Sequence, residues 1–268
     1  MQSSTLLALA GLLCFPLSAL AADDSNGNVL TVGAGVAAGS PYAGDDRTRV
    51  MPLIVLDYGM ANGFFASTMR GLGYGGQAGA FSYSAALGYR GERADHKRSG
   101  LSGLAGSDYL KGMGKVEGNA SALLSLGYSP LPGVQLSVAS DIPLNHRENG
   151  ATLQLGASGQ VYSRNDSRGV PQDTVSLGLQ TSWGEKKYLQ TMYGVTAAQA
   201  ARTAFRQYTP KGGFYEAQAN ISWEHRIDAR WSVNTVLGVE RRLGDAAKSP
   251  IVQRKSAPMG AVYVTYRY

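Results

Sequence analysis

The sequence is poor in cysteine, and its first residues carry no charged side chains. Cys14 is the single cysteine, and residues 1–22 contain no Asp, Glu, Lys or Arg. Leu6–Leu20 is a mostly apolar run, and Ala19-Leu20-Ala21 gives the small-residue pattern that precedes signal-peptide cleavage. We therefore expect residues 1–21 to be a cleaved export signal, although its start contains no Lys or Arg.

Two other interpretations of this run are excluded. A transmembrane anchor needs about 20 apolar residues, and the run is shorter than that. A lipoprotein would carry a small residue before the modified cysteine, whereas Leu13 precedes Cys14. The predicted mature chain, residues 22–268, then contains no cysteine, which excludes disulfides, thiolate metal sites and thiol catalysis.

Long apolar runs are absent from the rest of the sequence. The most apolar later segment, Met51–Leu56, is far too short to cross a membrane as a helix. The 35 glycines, 15 tyrosines and 16% charged residues favour strands and tight turns over helices. The net charge of +6 would suit a nucleic-acid partner, but an exported chain rarely meets one. We attribute the charge to a solvated surface, with contact to anionic lipid headgroups as the alternative.

Histidine is scarce, and this argues against an enzyme. The three histidines are His96, His146 and His225. Ser222 and His225 are three residues apart on one predicted strand, so they lie on opposite faces and cannot form a catalytic pair there. Three scattered histidines without cysteine also give no metal-ligand spacing. We predict no catalytic residues, no bound metal and no cofactor.

The last residues of the chain have the pattern of a strand that closes a barrel. One face carries Val262, Val264, Tyr266 and Tyr268, and the other face is mostly polar. A strand of about ten residues spans a membrane when it is tilted, and its tyrosines then lie at the headgroup level. The pattern predicts the closing strand of an outer-membrane β-barrel.

Alternating segments recur along the chain and predict an all-β, transmembrane antiparallel barrel of about twelve strands, with ten or fourteen as alternatives. Gly71–Gly79 is predicted to be a glycine-rich loop, and Val195–Phe205 a helix or a loop. The strands are predicted at Val29–Gly39, Val50–Tyr58, Phe64–Arg70, Ala80–Arg90, Asn119–Tyr128, Val134–Ser140, Ala151–Tyr162, Asp173–Gly184, Tyr188–Gly194, Phe214–Arg226, Trp231–Leu243 and Pro258–Tyr268.

Phe214–Arg226 shows the strongest contrast between its two faces. Tyr215, Ala217, Ala219, Ile221 and Trp223 form the apolar set, which a lipid-embedded barrel turns outward. The polar set is predicted to face the lumen together with two residues of the next strand: Glu216, Gln218, Asn220, Ser222, Glu224, Glu240 and Arg242.

Alternation stops between Gly91 and Gly114, and this segment is a candidate partner surface or plug. Strand parity places the 91–114 segment on the periplasmic side, against the usual pattern of short periplasmic turns and long external loops. Either the segment is a periplasmic feature or an inward plug, or the strand count is wrong by a pair. Its residues that could meet a partner are Arg93, His96, Lys97, Arg98 and Tyr109.

Three stretches, in this order, resemble the MipA/OmpV family of Gram-negative outer-membrane proteins. They are Ser40–Asp46 after a glycine-rich first strand, Tyr193–Thr196 leading to Gln199-Ala200, and Gly244–Val252 before an aromatic last strand. The resemblance covers essentially the whole mature chain and implies an outer-membrane barrel. For founding members it implies a scaffold that joins a membrane-bound lytic transglycosylase to a bifunctional penicillin-binding synthase in murein growth. Other members resemble porins of the osmotic response, adhesins or contributors to antibiotic susceptibility, so a small porin-like channel is the alternative.

Overall fold

The computed structural model describes residues 27–97 and 106–268, which form a closed barrel of twelve antiparallel strands. Each strand pairs with its neighbours in the chain, and the last strand pairs with the first. The strands are β1 (Val29–Gly39), β2 (Arg49–Gly59), β3 (Phe64–Ser67), β4 (Gly71–Ala78), β5 (Phe81–Arg90), β6 (Asn119–Leu131), β7 (Val134–Pro143), β8 (Thr152–Asn165), β9 (Pro171–Gly184), β10 (Gly213–Arg226), β11 (Trp231–Arg242) and β12 (Ser256–Arg267).

The predicted barrel is confirmed, and its closure lies at the predicted strand. β12 pairs with β1 from Ala38↔Gly260 to Thr31↔Arg267. The amide of Tyr268 then donates to the carbonyl of Leu30 at 2.9 Å, so the ladder continues to the last residue of the sequence. Full closure leaves no free sheet edge at the seam, which a lipid environment requires.

The count of twelve is correct, but two of the predicted segments were wrong. Gly71–Ala78 is a strand rather than a loop. Its glycines permit close strand contact, since a Cβ on Gly73 would lie 2.4 Å from the carbonyl oxygen of Ala85. Lys186–Tyr193, predicted to be a strand from Tyr188 onward, is a helix, named α1 here. A second short helix, α2 (Ala197–Ala200), begins with a capping box formed by Thr196 and Gln199.

The additional strand β4 and the replacement of a predicted strand by α1 move the 91–114 segment to the other end of the barrel. With β4 in the wall, the long connections 40–48, 91–118, 144–151, 185–212 and 243–255 all lie at one end of the barrel. The short connections 60–63, 79–80, 132–133, 166–170 and 227–230 lie at the other end, together with the start of β1 and the end of β12. Outer-membrane barrels have short periplasmic turns and long external loops. By this rule the segment belongs to the external end rather than the periplasmic side, and its placement relative to the membrane stays a prediction.

The turns at the short end have the residues that such turns need. The connection 132–133 is Pro132-Gly133, and Gly133 has a φ of 75°. A type II turn needs a positive φ at its second central residue, which glycine adopts without strain, and proline suits the first. The connections at the opposite end are longer, and their described residues include α1, α2 and three single-turn 3₁₀ helices.

The β3–β4 hairpin is short and ends partway up the wall. β2 pairs with β3 only from Gly59↔Phe65 to Asp57↔Ser67. The hydroxyl of Thr68 extends this ladder by one step, because it accepts from the amide of Leu56 and donates to the carbonyl of Ile54. At the hairpin tip, Arg70 makes a bidentate ion pair with Asp57 and stacks over the ring of Phe65 at 4.3 Å. These contacts hold the tip in place.

The outer surface of the barrel is apolar, with aromatic rings toward the short-turn end. Phe81 stacks on Tyr128 there, and Tyr266 packs edge-on against both Trp231 and Tyr268. The outward side chains between these rings and the loops are large and exposed, as lipid contact requires. They include Val36, Ile54, Leu72, Leu87, Leu124, Leu126, Leu155, Leu177, Leu179, Ile221, Leu237, Val262 and Val264.

The inner wall is divided into an apolar and a polar side. Ala37, Met51, Leu53, Val55 and Ala261 form a buried cluster on the inner face of β12, β1 and β2, and Tyr263 packs against it. The polar side lies on β7 to β11 and is described below. Among the described residues, no helix is long and apolar enough to span a membrane.

We predict that deleting Tyr268 slows or prevents barrel assembly. The deletion removes the last ladder bond to Leu30 and the ring that packs on Tyr266. In an unheated sample, the folded barrel and the unfolded chain migrate differently on a gel, so the gel measures the folded fraction directly. Replacing Tyr74 by Ser, which removes an exposed tyrosine from an internal strand, serves as the matched control. Normal folding of the Tyr268 deletion would contradict the closing role of this residue.

We also predict that Arg70→Ala lowers the free energy of unfolding by about 2 kcal/mol, as expected for a charge-assisted hydrogen bond. The Arg70 and Asp57 side chains are 17% and 9% exposed, so little water replaces the lost contact. Urea titration of the barrel in detergent micelles measures the change. Arg168→Ala is the control, because Arg168 is 75% exposed in its ion pair with Asp166 and its loss should cost less than about 1 kcal/mol. Equal costs for both variants would show that the hairpin tip is not held by this pair.

Candidate functional site

The centre of the candidate site is a charged cluster on the inner wall. The guanidinium of Arg242 contacts the carboxylate of Glu216 and, at 2.6 Å, that of Glu240. The amide of Gln218 donates to Glu216 at 2.5 Å. β10 and β11 bring these side chains together because Glu216 pairs directly with Arg242 and Gln218 with Glu240. All four side chains are buried, so the cluster contains two carboxylates and one guanidinium in a region with little water.

The remaining predicted lumen residues lie farther toward the short-turn end on β10. Asn220 pairs with Gly178 on β9 and with Gly238 on β11, and its side chain lies over Gly178, where a Cβ would approach it to 2.9 Å. Ser222 pairs with Ser176, and Glu224 with Thr174. None of these three residues joins the Arg242 cluster. The structure thus brings together four of the seven predicted polar residues.

Tyr215 was predicted to face outward, and this was wrong. The register of β10 shifts between Phe214 and Glu216, which is a β-bulge. A bulge turns two successive residues to the same side, so Tyr215 and Glu216 are both buried while Phe214 is exposed. The ring of Tyr215 lies 4.9 Å from that of Tyr188 and 6.1 Å from that of Tyr193, both on α1.

The external loops pack against one another and form a cap over this end of the lumen. Two small cores join loops that are far apart in the sequence. One contains Tyr42, Leu110, Met113, Val195 and Ile251, and the other contains Leu189, Tyr193, Tyr215 and Ala246.

Hydrogen bonds between loops fix the cap further. The hydroxyl of Tyr42 donates to the carbonyl of Ile251 at 2.9 Å, and that of Tyr208 donates to the carbonyl of Asp245 at 2.7 Å. Gln199 donates to the carbonyl of Met113 at 2.6 Å. Burial raises the pKa of Tyr42 well above its ordinary value, and the phenol therefore stays a neutral hydrogen-bonding group. The cap is thus a packed structure in its own right.

A cavity of about 220 Å³ lies beneath the cap. Its upper lining comes from the first external loop and from α1, and its walls come from β5 and from β7 to β11. The lining residues that matter here are Ser40, Arg90, Asp141, Tyr188, Tyr193, Tyr215, Glu216, Gln218, Glu240 and Arg242. Polar groups converge in a partly enclosed space, which is the usual property of a small-ligand site.

The candidate partner segment is partly built into the cap. Arg93 is buried and donates to the carbonyl of Met192 at 2.6 Å, so it is not available to a partner. His96 is exposed beside Asp95, and Tyr109 packs edge-on against Phe205. The amide of Lys97 donates to Asp108, and Arg98 lies outside the described residues. The described residues of the segment therefore contribute mainly to the structure of the cap.

The short-turn end carries a network around Asp173, which sequence reasoning missed. Asp173 accepts hydrogen bonds from His225 at 2.8 Å, from the indole of Trp223 at 3.0 Å and from Arg164 at 2.8 Å. The alternation of β9 and β10 places Asp173, Trp223 and His225 on one face, and this signal was present in the sequence. Within residues 27–97 and 106–268, no three His, Asp or Glu side chains come together as a metal site.

We predict that Arg242→Met destabilises the barrel by about 3–5 kcal/mol, because it leaves two buried carboxylates without their partner. The variant that also carries Glu216→Gln and Glu240→Gln should recover most of this loss. Urea unfolding in micelles tests both. If the single and the triple variant were equally unstable, packing rather than charge would account for the role of Arg242.

A family model described as MltA-interacting protein MipA matches residues 32–268. No curated protein sequence matches the chain. Among solved structures, the chain is similar to the NanC porin (9% identity, 88% of this chain and 98% of that one, TM-score 0.47) and to OmpT of Vibrio cholerae (7% identity, 90% and 97%, TM-score 0.34). It is also similar to Neisserial surface protein A (6% identity, 91% and 98%, TM-score 0.28). The strand ladder of this chain shows that it is a barrel, without reference to these structures. The matched family model spans nearly the whole chain, so the chain belongs to the MipA family.

Proposed function

We propose that this barrel is a non-enzymatic outer-membrane scaffold that binds a membrane-bound murein lytic transglycosylase. In this proposal the complex also brings the hydrolase to a bifunctional penicillin-binding synthase during cell-wall growth. The observation that carries the proposal is the family match over residues 32–268, because the family is described by its interaction with MltA. The same match supports an outer-membrane location, and the export signal at residues 1–21 stays a prediction.

The geometry favours the short-turn end as the docking surface. Murein and its enzymes lie in the periplasm, and short turns mark the end of an outer-membrane barrel that faces it. Charged side chains stand on two of these turns: exposed Arg168 with half-buried Asp166 on one, and exposed Asp228 and Arg230 on the other. The cap at the opposite end is held by its own cores and hydrogen bonds, so it would serve the barrel rather than a periplasmic partner.

A passive channel is the second candidate. The polar wall formed by Glu216, Gln218, Asn220, Ser222 and Glu224 is the observation that favours it, since water-filled barrels have polar lumens. The packed cap opposes it, because an open pore needs a free external mouth.

We predict that reversing charge on the short turns weakens capture of the transglycosylase. The variant Arg168→Glu with Arg230→Glu should lose at least tenfold in affinity in a pull-down that uses the purified barrel in detergent and a purified, anchor-free lytic transglycosylase. The matched control, Lys187→Glu with Arg206→Glu, makes the same change of charge on exposed residues at the capped end and should bind normally.

Two further measurements separate the hypotheses. A purified penicillin-binding synthase should be retained only when both the barrel and the transglycosylase are present, if the barrel is an adaptor. Absence of any retained transglycosylase, together with steady conductance in planar bilayers, would overturn the scaffold in favour of the channel. An equal loss of affinity for the transglycosylase in both charge variants would overturn the proposal that the short-turn end is the docking surface.

A further inference from the structure

The cavity beneath the cap has two charged ends, and the donors at both ends are already engaged. On one side, Arg90 binds Asp141 at 2.9 Å and donates to the carbonyls of Gly150 at 2.9 Å and Asn149 at 3.3 Å. On the other side, Arg242 is shared between Glu216 and Glu240. Arg90 therefore has no donor left for a bound anion, and Arg242 is already shared between two carboxylates.

Acceptors, in contrast, are in surplus. The Arg242 cluster has two carboxylates for one guanidinium, and each carboxylate accepts several hydrogen bonds. Glu92, which also lines the cavity, is held by Lys115 at 2.7 Å. Arg254, the next guanidinium along the chain, bonds the hydroxyl of Thr48 and does not line the cavity, although its charge also acts on Glu240.

Two buried hydroxyls also face the cavity. The side-chain oxygens of Tyr193 and Ser40 line the cavity, and these residues are 0% and 7% exposed. The Tyr193 hydroxyl lies next to Arg242 and the Ser40 hydroxyl next to Glu240, at a geometry too poor for a full hydrogen bond. Buried polar groups are nearly always well bonded, so both oxygens are open to a better donor in this cavity. Burial raises the pKa of Tyr193 to about 12, so its hydroxyl is neutral and keeps its lone pairs for a donor.

The aromatic lining suits a cation as well. Tyr188, Tyr193 and Tyr215 line the same cavity, with Tyr215 between the other two rings. Faces of tyrosine rings attract ammonium groups, most strongly where water is excluded. At about 30 Å³ for each water, the volume of about 220 Å³ is that of about seven waters, which is enough for a short alkyl amine.

We propose that the cavity beneath the cap binds a small organic cation with a primary ammonium group, of the size of a short alkyl diamine. The ammonium donates to the Glu240 and Glu216 carboxylates and to the hydroxyls of Tyr193 and Ser40, and the alkyl chain lies along the tyrosine rings. The site belongs to the external end of the barrel and does not depend on the scaffold function.

Isothermal titration calorimetry of the full barrel in nonionic detergent tests the proposal. Putrescine is the probe, and 1,4-butanediol is its neutral counterpart of equal length. Putrescine should bind and butanediol should not. Glu240→Gln removes the surplus charge and should weaken putrescine binding at least tenfold. The matched control Glu224→Gln makes the same change on β10 outside the cavity and should bind like the unchanged chain.

Tyr193→Phe provides a second variant that keeps the charge cluster intact. It should weaken putrescine binding about threefold through loss of one acceptor. Folding of every variant is checked by gel mobility without heating. Three results would overturn the proposal. Putrescine and butanediol could bind equally, or putrescine could fail to bind when it is in 10-fold excess over protein at millimolar concentration. The third result is unchanged putrescine binding in both Glu240→Gln and Tyr193→Phe.

Discussion

Backbone pairing in lipid is the constraint on which this structure depends. No water is available in the hydrocarbon region to satisfy an unpaired N–H or C=O group, so a sheet there must close on itself. The chain meets this requirement through β12, whose ladder with β1 extends to the amide of Tyr268. The glycines of β1 permit close packing at the seam, since a Cβ on Gly35 would lie 2.1 Å from the carbonyl oxygen of Val262. The apolar outer face and the enclosed lumen both follow from closure.

Closure creates an interior that must be filled or stabilised, and the two sides of this barrel do so differently. The wall near the seam is filled by packing of Met51, Leu53 and Val55 on small neighbours. The opposite wall carries buried charge, which is tolerable only because Arg242 bridges Glu216 and Glu240. The cap covers the charged side and leaves only a partly enclosed cavity of about 220 Å³ next to the cluster.

The sequence predicted the strands that alternate strongly and failed where other forces set the structure. β10 and β12 were recognisable because their two faces differ in polarity. β4 was missed because glycine has low strand propensity, and its place in the wall depends on close contact with β5. α1 was missed because a short apolar run fits a strand as well as a helix; only packing of Leu189 and Tyr193 into the cap decides between them. These two errors cancelled in the strand count but reversed the end at which residues 91–114 lie.

Part of the candidate site was also predictable from the alternation of polar and apolar residues. Glu216, Gln218, Glu240 and Arg242 follow from alternation on two neighbouring strands. Tyr215 does not, because a bulge is invisible in the pattern. The contributions of Ser40 and Tyr193 depend on how distant loops fold over the lumen, which local sequence does not encode.

The orientation of the two ends is the central claim, since the cap, the docking surface and the cavity all follow from it. The predicted mature chain has no cysteine, so single cysteines report on it without interference. A thiol reagent that cannot cross the outer membrane should label Lys187→Cys at the capped end in intact cells. It should label Arg168→Cys at the short-turn end only after the outer membrane is permeabilised. Labelling of Arg168→Cys in intact cells, with Lys187→Cys protected, would contradict this account.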